Sequence, residues 1–198
     1  MPCIIFAALL MMASYARAME SDVYDINTNL LPGSARVCFS IGYPHTWGVA
    51  DHYHYDYADI FMTHFNMVCL FYPTNALFSK KLTDYAVYSS DETTAKTAAK
   101  NLLKTPNFVP LSFNRVKTIA GDRGWLVESK EKLTVGSVKN PWVSQVETKE
   151  FPAICHSYFF DSGKKGSLCI RLITLPDDSS WRTNLDQLVL QTLRLNNN

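Results

Sequence analysis

The feature that most constrains this chain is the period-2 patterning of its second half, where strand-length runs succeed one another with only turn residues between them. Residues 113–119 alternate apolar and polar positions, Gly121-Asp122-Arg123-Gly124 follows as a turn, and residues 125–135 run back. Residues 143–150 and 153–160 read as one long strand interrupted by Pro152, which has no N–H for a ladder. Asp161-Ser162-Gly163-Lys164-Lys165-Gly166 is a hairpin turn, and residues 167–175 return from it. Short turns between strands imply antiparallel pairing, because a parallel crossover takes a dozen or more residues.

The first half adds less regular elements. Residues 19–34 form a polar, extended lead-in. Residues 36–44 read as a strand in which Val37, Phe39 and Ile41 alternate with Cys38 and Ser40 until Pro44 ends it. Residues 65–72 are a second strand and residues 86–88 a short third. Two helices are predicted. Ser89 with Glu92 matches a capping box opening a helix over 91–104, with Ala95, Ala98, Ala99, Leu102 and Leu103 on one stripe. Ser180 caps a second, over 180–194, that gathers Trp181, Leu185, Leu188, Val189 and Thr192 on one face. Together these predict a single α+β domain over 19–198, an antiparallel sheet of about six strands with helices on its faces.

This order resembles the PsbP-like fold, named for an extrinsic photosystem subunit and shared with small bacterial envelope proteins of the DcrB type. The residues that carry the resemblance are Phe39-Ser40-Ile41-Gly42-Tyr43-Pro44 with Trp47, Ile119-Ala120-Gly121 with Gly124, and residues 188–195. The resemblance implies an α/β/α sandwich. Residues 45–64 are longer than the family's connection at that point, and that stretch holds what is particular to this chain.

The N-terminus bears on compartment. Residues 1–12 are an apolar run too short for a bilayer, which takes about 20 residues, and Ala16-Arg17-Ala18 follows as a cleavage site. Residues 1–18 therefore read as a secretory signal peptide, and the mature protein is expected in the periplasm or secreted, without stable membrane insertion. Losing Arg17 leaves 18 basic residues against 18 acidic ones. That balance argues against nucleic acid, whose phosphates call for clustered Lys and Arg. Cys38, Cys69, Cys155 and Cys169 remain, an even number that in an exported protein favours disulfides. The local pairings Cys38–Cys69 and Cys155–Cys169 are expected.

No catalytic constellation stands out. Ser40, Ser112, His156 and Asp161 lack a G-x-S-x-G elbow. Glu128, Glu131, Glu147 and Glu150 fall among lysines, the pattern of a solvated sheet face. The irregular stretch 45–64 is different, being rich in His, Tyr and Asp. Tyr53, Tyr55, Tyr57 and Phe61 have the composition of a protein-contact patch, with Asp51, Asp56 and Asp59 as polar contacts. The expected function is that of a non-enzymatic binding protein acting by protein–protein contact and needing no cofactor. An immunity-type inhibitor of a toxin or envelope enzyme is its concrete form. The alternative uses His45, His52, His54 and Asp56 as metal ligands, in a carrier or metal-dependent hydrolase, since imidazole and carboxylate suit zinc, copper or nickel.

Overall fold

The computed structural model describes residues 19–26, 37–51, 65–74, 84–91, 93–105, 108–140, 145–162 and 166–196. Its strands are β1 (Ser21–Ile26), β2 (Phe39–Pro44), β3 (Trp47–Asp51), β4 (Asn66–Pro73), β5 (Asp84–Ser90), β6 (Val109–Lys117), β7 (Arg123–Asn140), β8 (Gln145–Asp161), β9 (Ser167–Thr174) and β10 (Arg194–Leu195). Its helices are α1 (Ala95–Leu102) and α2 (Ser179–Thr192).

The class is α+β with antiparallel pairing throughout, as the patterning requires, but the strands divide between two sheets. One has seven strands in the order β3-β4-β5-β9-β8-β7-β6; the other has three, β1-β2-β10. The expectation of about six strands in one sheet is corrected on two counts. The lead-in is itself a strand, β1, paired along its length with β2. Residues 47–51, assigned to a loop, form β3 on β4 with Asp51 opposite Cys69. A five-residue strand beside a Tyr/His-rich run shows too little alternation to be seen in sequence.

The strand period sorts the seven-stranded sheet into two faces. On one, Cys69, Phe71, Tyr85, Val87, Tyr158, Phe160, Ile170 and Leu172 pack with Leu185 and Val189 of α2 and with Phe39 and Ile41 of β2. On the other, Ala86, Tyr88, Val127, Phe159 and Cys169 meet Ala95, Ala98, Ala99 and Leu102 of α1. At about 25 cal/mol per Å² of apolar surface, burial on both faces is the main stabilisation of the sheet. Gly42 lets α2 approach: a Cβ there would lie 2.8 Å from Thr192 Oγ1, and instead the Gly42 N–H donates to that oxygen at 2.7 Å.

Helix capping differs from the sequence reading. Ser89 and Ser90 are buried in β5, and α1 is capped by Thr94, whose hydroxyl accepts from the Thr97 N–H at 3.3 Å. Strand burial of the serines outweighs a local cap worth about 1 kcal/mol. The residue before α2 is Asp178, which makes no side-chain cap bond.

β8 also runs unbroken through Pro152. β9 stops at Thr174 opposite Ile154, and β6 reaches only Lys130 on β7. Beyond those points β7 and β8 pair only with each other among the described residues, as a two-stranded arm. Pro152 falls there, where one side of its strand faces no ladder, the position a strand proline tolerates.

Candidate functional site

Residues 52–64 connect β3 to β4 and lie outside the described residues, so Tyr53, Tyr55, Tyr57, Phe61, Asp56, Asp59, His52 and His54 carry no structural account. Their flanks are placed. The chain leaves the sheet at Asp51, the last residue of an edge strand, and returns at the buried Phe65. His45 sits in the exposed turn between β2 and β3, with its Nδ1 3.0 Å from both carboxylate oxygens of Asp22. That hydrogen bond and the Asp22 charge raise the His45 pKa above 6.5. One imidazole nitrogen is thus committed to Asp22. Among the described residues no group of three or more His, Cys, Asp or Glu could hold a metal ion.

The two edges of the seven-stranded sheet are built differently. The β6 edge has Pro110, a register shift between Pro110 and Ser112, and the charged Arg115 and Lys117, which are the devices that keep an edge from pairing with another chain. The β3 edge reads Trp47-Gly48-Val49-Ala50 before Asp51, with no proline, lysine or bulge. Among the described residues β3 pairs only with β4. Trp47 is anchored inward against Trp181 of α2, their ring centroids 6.0 Å apart.

The catalytic-type side chains gather around the interior strand β8, in two groups on opposite faces. On the α2 face His156 Nδ1 lies 2.8 Å from Asp186 Oδ1, and Nε2 faces Glu128 Oε1 at 3.6 Å, just beyond hydrogen-bond length. The Tyr158 hydroxyl donates to the same Asp186 oxygen at 2.6 Å, and Ser112 donates to Glu128 at 3.3 Å. Burial, with Asp186 beside it, raises the Tyr158 pKa far above the ordinary phenol value, so the hydroxyl stays a donor. On the α1 face Arg171 Nη2 lies 2.6 Å from Glu131 Oε2 and 3.4 Å from Cys155 Sγ, and Ser129 donates to Glu131 Oε1 at 2.9 Å. Burial disfavours the Arg171 charge, but Cys155 and Glu131 beside it hold its pKa well above the ordinary guanidinium value. Burial pushes the Cys155 thiol up.

These groups answer the remaining expectations. Ser112 and His156 lie at opposite ends of a carboxylate, while Asp161 sits elsewhere, accepting from the Ala95 N–H at 2.7 Å where α1 begins. Ser40 belongs to the other sheet. No hydrolytic triad is assembled from them. Glu128 and Glu131 face inward, with 33% and 22% of their side chains exposed, which corrects the reading of both as solvated. The disulfide expectation is corrected as well: there is no disulfide among the described residues. Cys155 stands opposite Ile173 and Cys169 opposite Phe159. The offset of four residues amounts to about 13 Å along the strands, beyond the 7 Å that a bridge spans. Cys38 lies just before β2 of the small sheet and Cys69 is buried in β4.

A further group escaped sequence reading. A cleft of about 460 Å³ at the β6–β7 turn is lined by Arg115, Val116, Lys117, Arg123, Gly124, Trp125 and Asp161. Its pairing follows from the turn, since any hairpin centred on Ala120 sets Lys117 against Arg123 and Arg115 against Trp125, as the register has it.

Comparisons with protein-family models, curated proteins and solved structures give no match, so nothing in them identifies a PsbP-like or DcrB-type chain.

Proposed function

We propose that this chain is a non-enzymatic exported binding protein that acts by protein–protein contact at the β3 edge and the tyrosine-rich residues that follow it. The observation that carries the reading is the contrast between the two sheet edges. Unpaired main-chain N–H and C=O groups on an unprotected edge accept an extended segment from another chain, and alternate side chains then supply specificity. The sequence sets Tyr53, Tyr55, Tyr57 and Phe61 immediately after that edge, with Asp51, Asp56 and Asp59 among them. Aromatic anchors of this kind dominate interface energetics. The concrete form is an immunity-type inhibitor of a toxic envelope enzyme, exported by way of residues 1–18 and working in the periplasm or outside the cell.

The test has two parts. Intact mass of the protein from the envelope fraction should begin near Met19; a mass retaining residues 1–18 contradicts export by cleavage. The mature protein, immobilised, is then used to isolate a partner from envelope extract, and the affinity of the purified pair is measured by calorimetry. Tyr55→Ala and Tyr57→Ala should each weaken binding about thirtyfold, the effect of about 2 kcal/mol at a hot spot, with the melting temperature unchanged. Unchanged affinity in both variants overturns the assignment of the interface.

A further inference from the structure

The β6–β7 end of the sheet, at the edge opposite β3, gathers three cations at one cleft. Lys117 and Arg123 are direct cross-strand partners, and Arg115 lies two residues before Lys117 on the same strand and face. Cross-strand neighbours stand about 5 Å apart at Cβ and same-face neighbours on one strand about 7 Å, so three positive side chains rise from one small triangle. Like charges set directly opposite destabilise a sheet. Among the described residues no carboxylate forms an ion pair with Arg115, Lys117 or Arg123. Asp161 lines the same cleft as its one carboxylate, with Oδ1 accepting from the Ala95 N–H at the start of α1.

The surroundings are tied together by ring stacking and hydrogen bonds. The Arg115 guanidinium lies over the Trp125 ring, 5.1 Å from its centroid, and Trp125 is itself stacked on Phe113 at 4.8 Å and 10°. Stacking holds the guanidinium plane while its N–H groups remain available at the edge, the arrangement suited to a bidentate oxyanion. The turn that aligns β6 with β7 is pinned at several points. Gly121 takes a positive φ of 101°, the Thr118 N–H donates to Asp122 O at 2.9 Å, and the Ile119 N–H donates to Leu190 O of α2 at 2.9 Å. Asp122 Oδ2 in turn accepts from the Leu195 N–H at 3.4 Å. A water-accessible cleft with three cations against the single carboxylate of Asp161 keeps a net positive charge and meets the requirements of a site for a multiply charged oxyanion. Its volume, within the roughly 300–1,000 Å³ of small-molecule sites, admits more than a bare ion.

From this geometry we infer that the cleft binds a phosphoryl group carried on an organic ligand, with Arg115, Lys117 and Arg123 on the oxygens. The site is separate from the β3 edge, and its test does not depend on the partner there. The mature protein is titrated with inorganic pyrophosphate at constant ionic strength while the Trp125 indole N–H is followed by NMR, and with vesicles of phosphatidylglycerol or of phosphatidylcholine by co-sedimentation. A saturable shift of the Trp125 signal is expected, weakened at least tenfold by Lys117→Gln/Arg123→Gln, and that variant should melt no lower than the parent because it loses a like-charge pair. Binding of pyrophosphate without phosphatidylglycerol assigns a soluble phosphate ester. Binding of phosphatidylglycerol vesicles, reversed by pyrophosphate and absent with phosphatidylcholine, assigns a lipid headgroup; both support the site. No saturable response to either probe, or an equal response in the double variant, overturns it.

Discussion

Substituting Glu131 by Gln tests whether the sheet's interior charges are matched or merely adjacent. The change keeps the shape of the side chain and removes the charge that faces Arg171 at 2.6 Å. Arg171 has only 10% of its side chain exposed and Glu131 22%. The variant therefore leaves a guanidinium inside the α1 face with only neutral acceptors, the introduced amide oxygen and the Cys155 sulfur at 3.4 Å. Breaking a buried pair from one side costs about 3–5 kcal/mol, because the remaining charge loses its compensation without regaining water. The residual exposure of Glu131 places the expected loss near the lower end, about 3 kcal/mol, or roughly 6–12 °C in melting temperature for a chain of this size. Urea and thermal unfolding followed by circular dichroism measure it. The double variant Glu131→Leu/Arg171→Met removes both charges and supplies apolar volume, so it should lose less than Glu131→Gln alone. A loss below about 0.5 kcal/mol for Glu131→Gln is the behaviour of a surface pair, and together with a double variant worse than either single change it refutes the reasoning.

Three further outcomes are expected. Gly42→Ala should destabilise by about 1–3 kcal/mol in the same unfolding assay, since its Cβ meets Thr192 and Leu188 and displaces the 2.7 Å Gly42–Thr192 hydrogen bond. His45 should titrate above 6.5 by NMR and return to about 6.5 in Asp22→Asn; with its folded pKa raised by Asp22, its contribution to stability is complete below 6.5 and fades as pH rises through the folded value. Cys155 and Cys169 should both be alkylated after denaturation without reductant and resist alkylation in the folded protein, as peptide mapping would show; a peptide cross-linked between them contradicts the β8–β9 register.

The parts of the fold legible in sequence were those settled by local pairing. The hairpins β6–β7 and β8–β9 follow from period-2 runs meeting at glycine-containing turns, and α2 from an apolar stripe one face wide. What was not legible depended on distant partners. Ser21–Ile26 reads as polar because only Tyr24 and Ile26 turn inward, and it becomes a strand through β2, on the far side of residues 27–36. Pairing of Asp22 with His45 follows from that same register. Ser89 with Glu92 satisfied a capping template, yet β5 continues through Ser90 because β9 pairs it to its end. Of the site residues, the basic triangle was recoverable by folding the sequence back about Ala120, whereas Arg171 reaches Glu131 only across β8, a contact no local pattern announces.

The claim that this chain works through its β3 edge is tested most directly by amide hydrogen exchange of the mature protein, alone and with its isolated partner. In the free protein the outward amides of Trp47–Asp51 should exchange faster than those of the paired interior strands β8 and β9. On addition of the partner, protection should rise at Trp47–Asp51 and in the tyrosine-bearing segment that follows, with no change at β6. Protection confined to β6 and the β6–β7 turn, with β3 exchanging as before, would contradict the account.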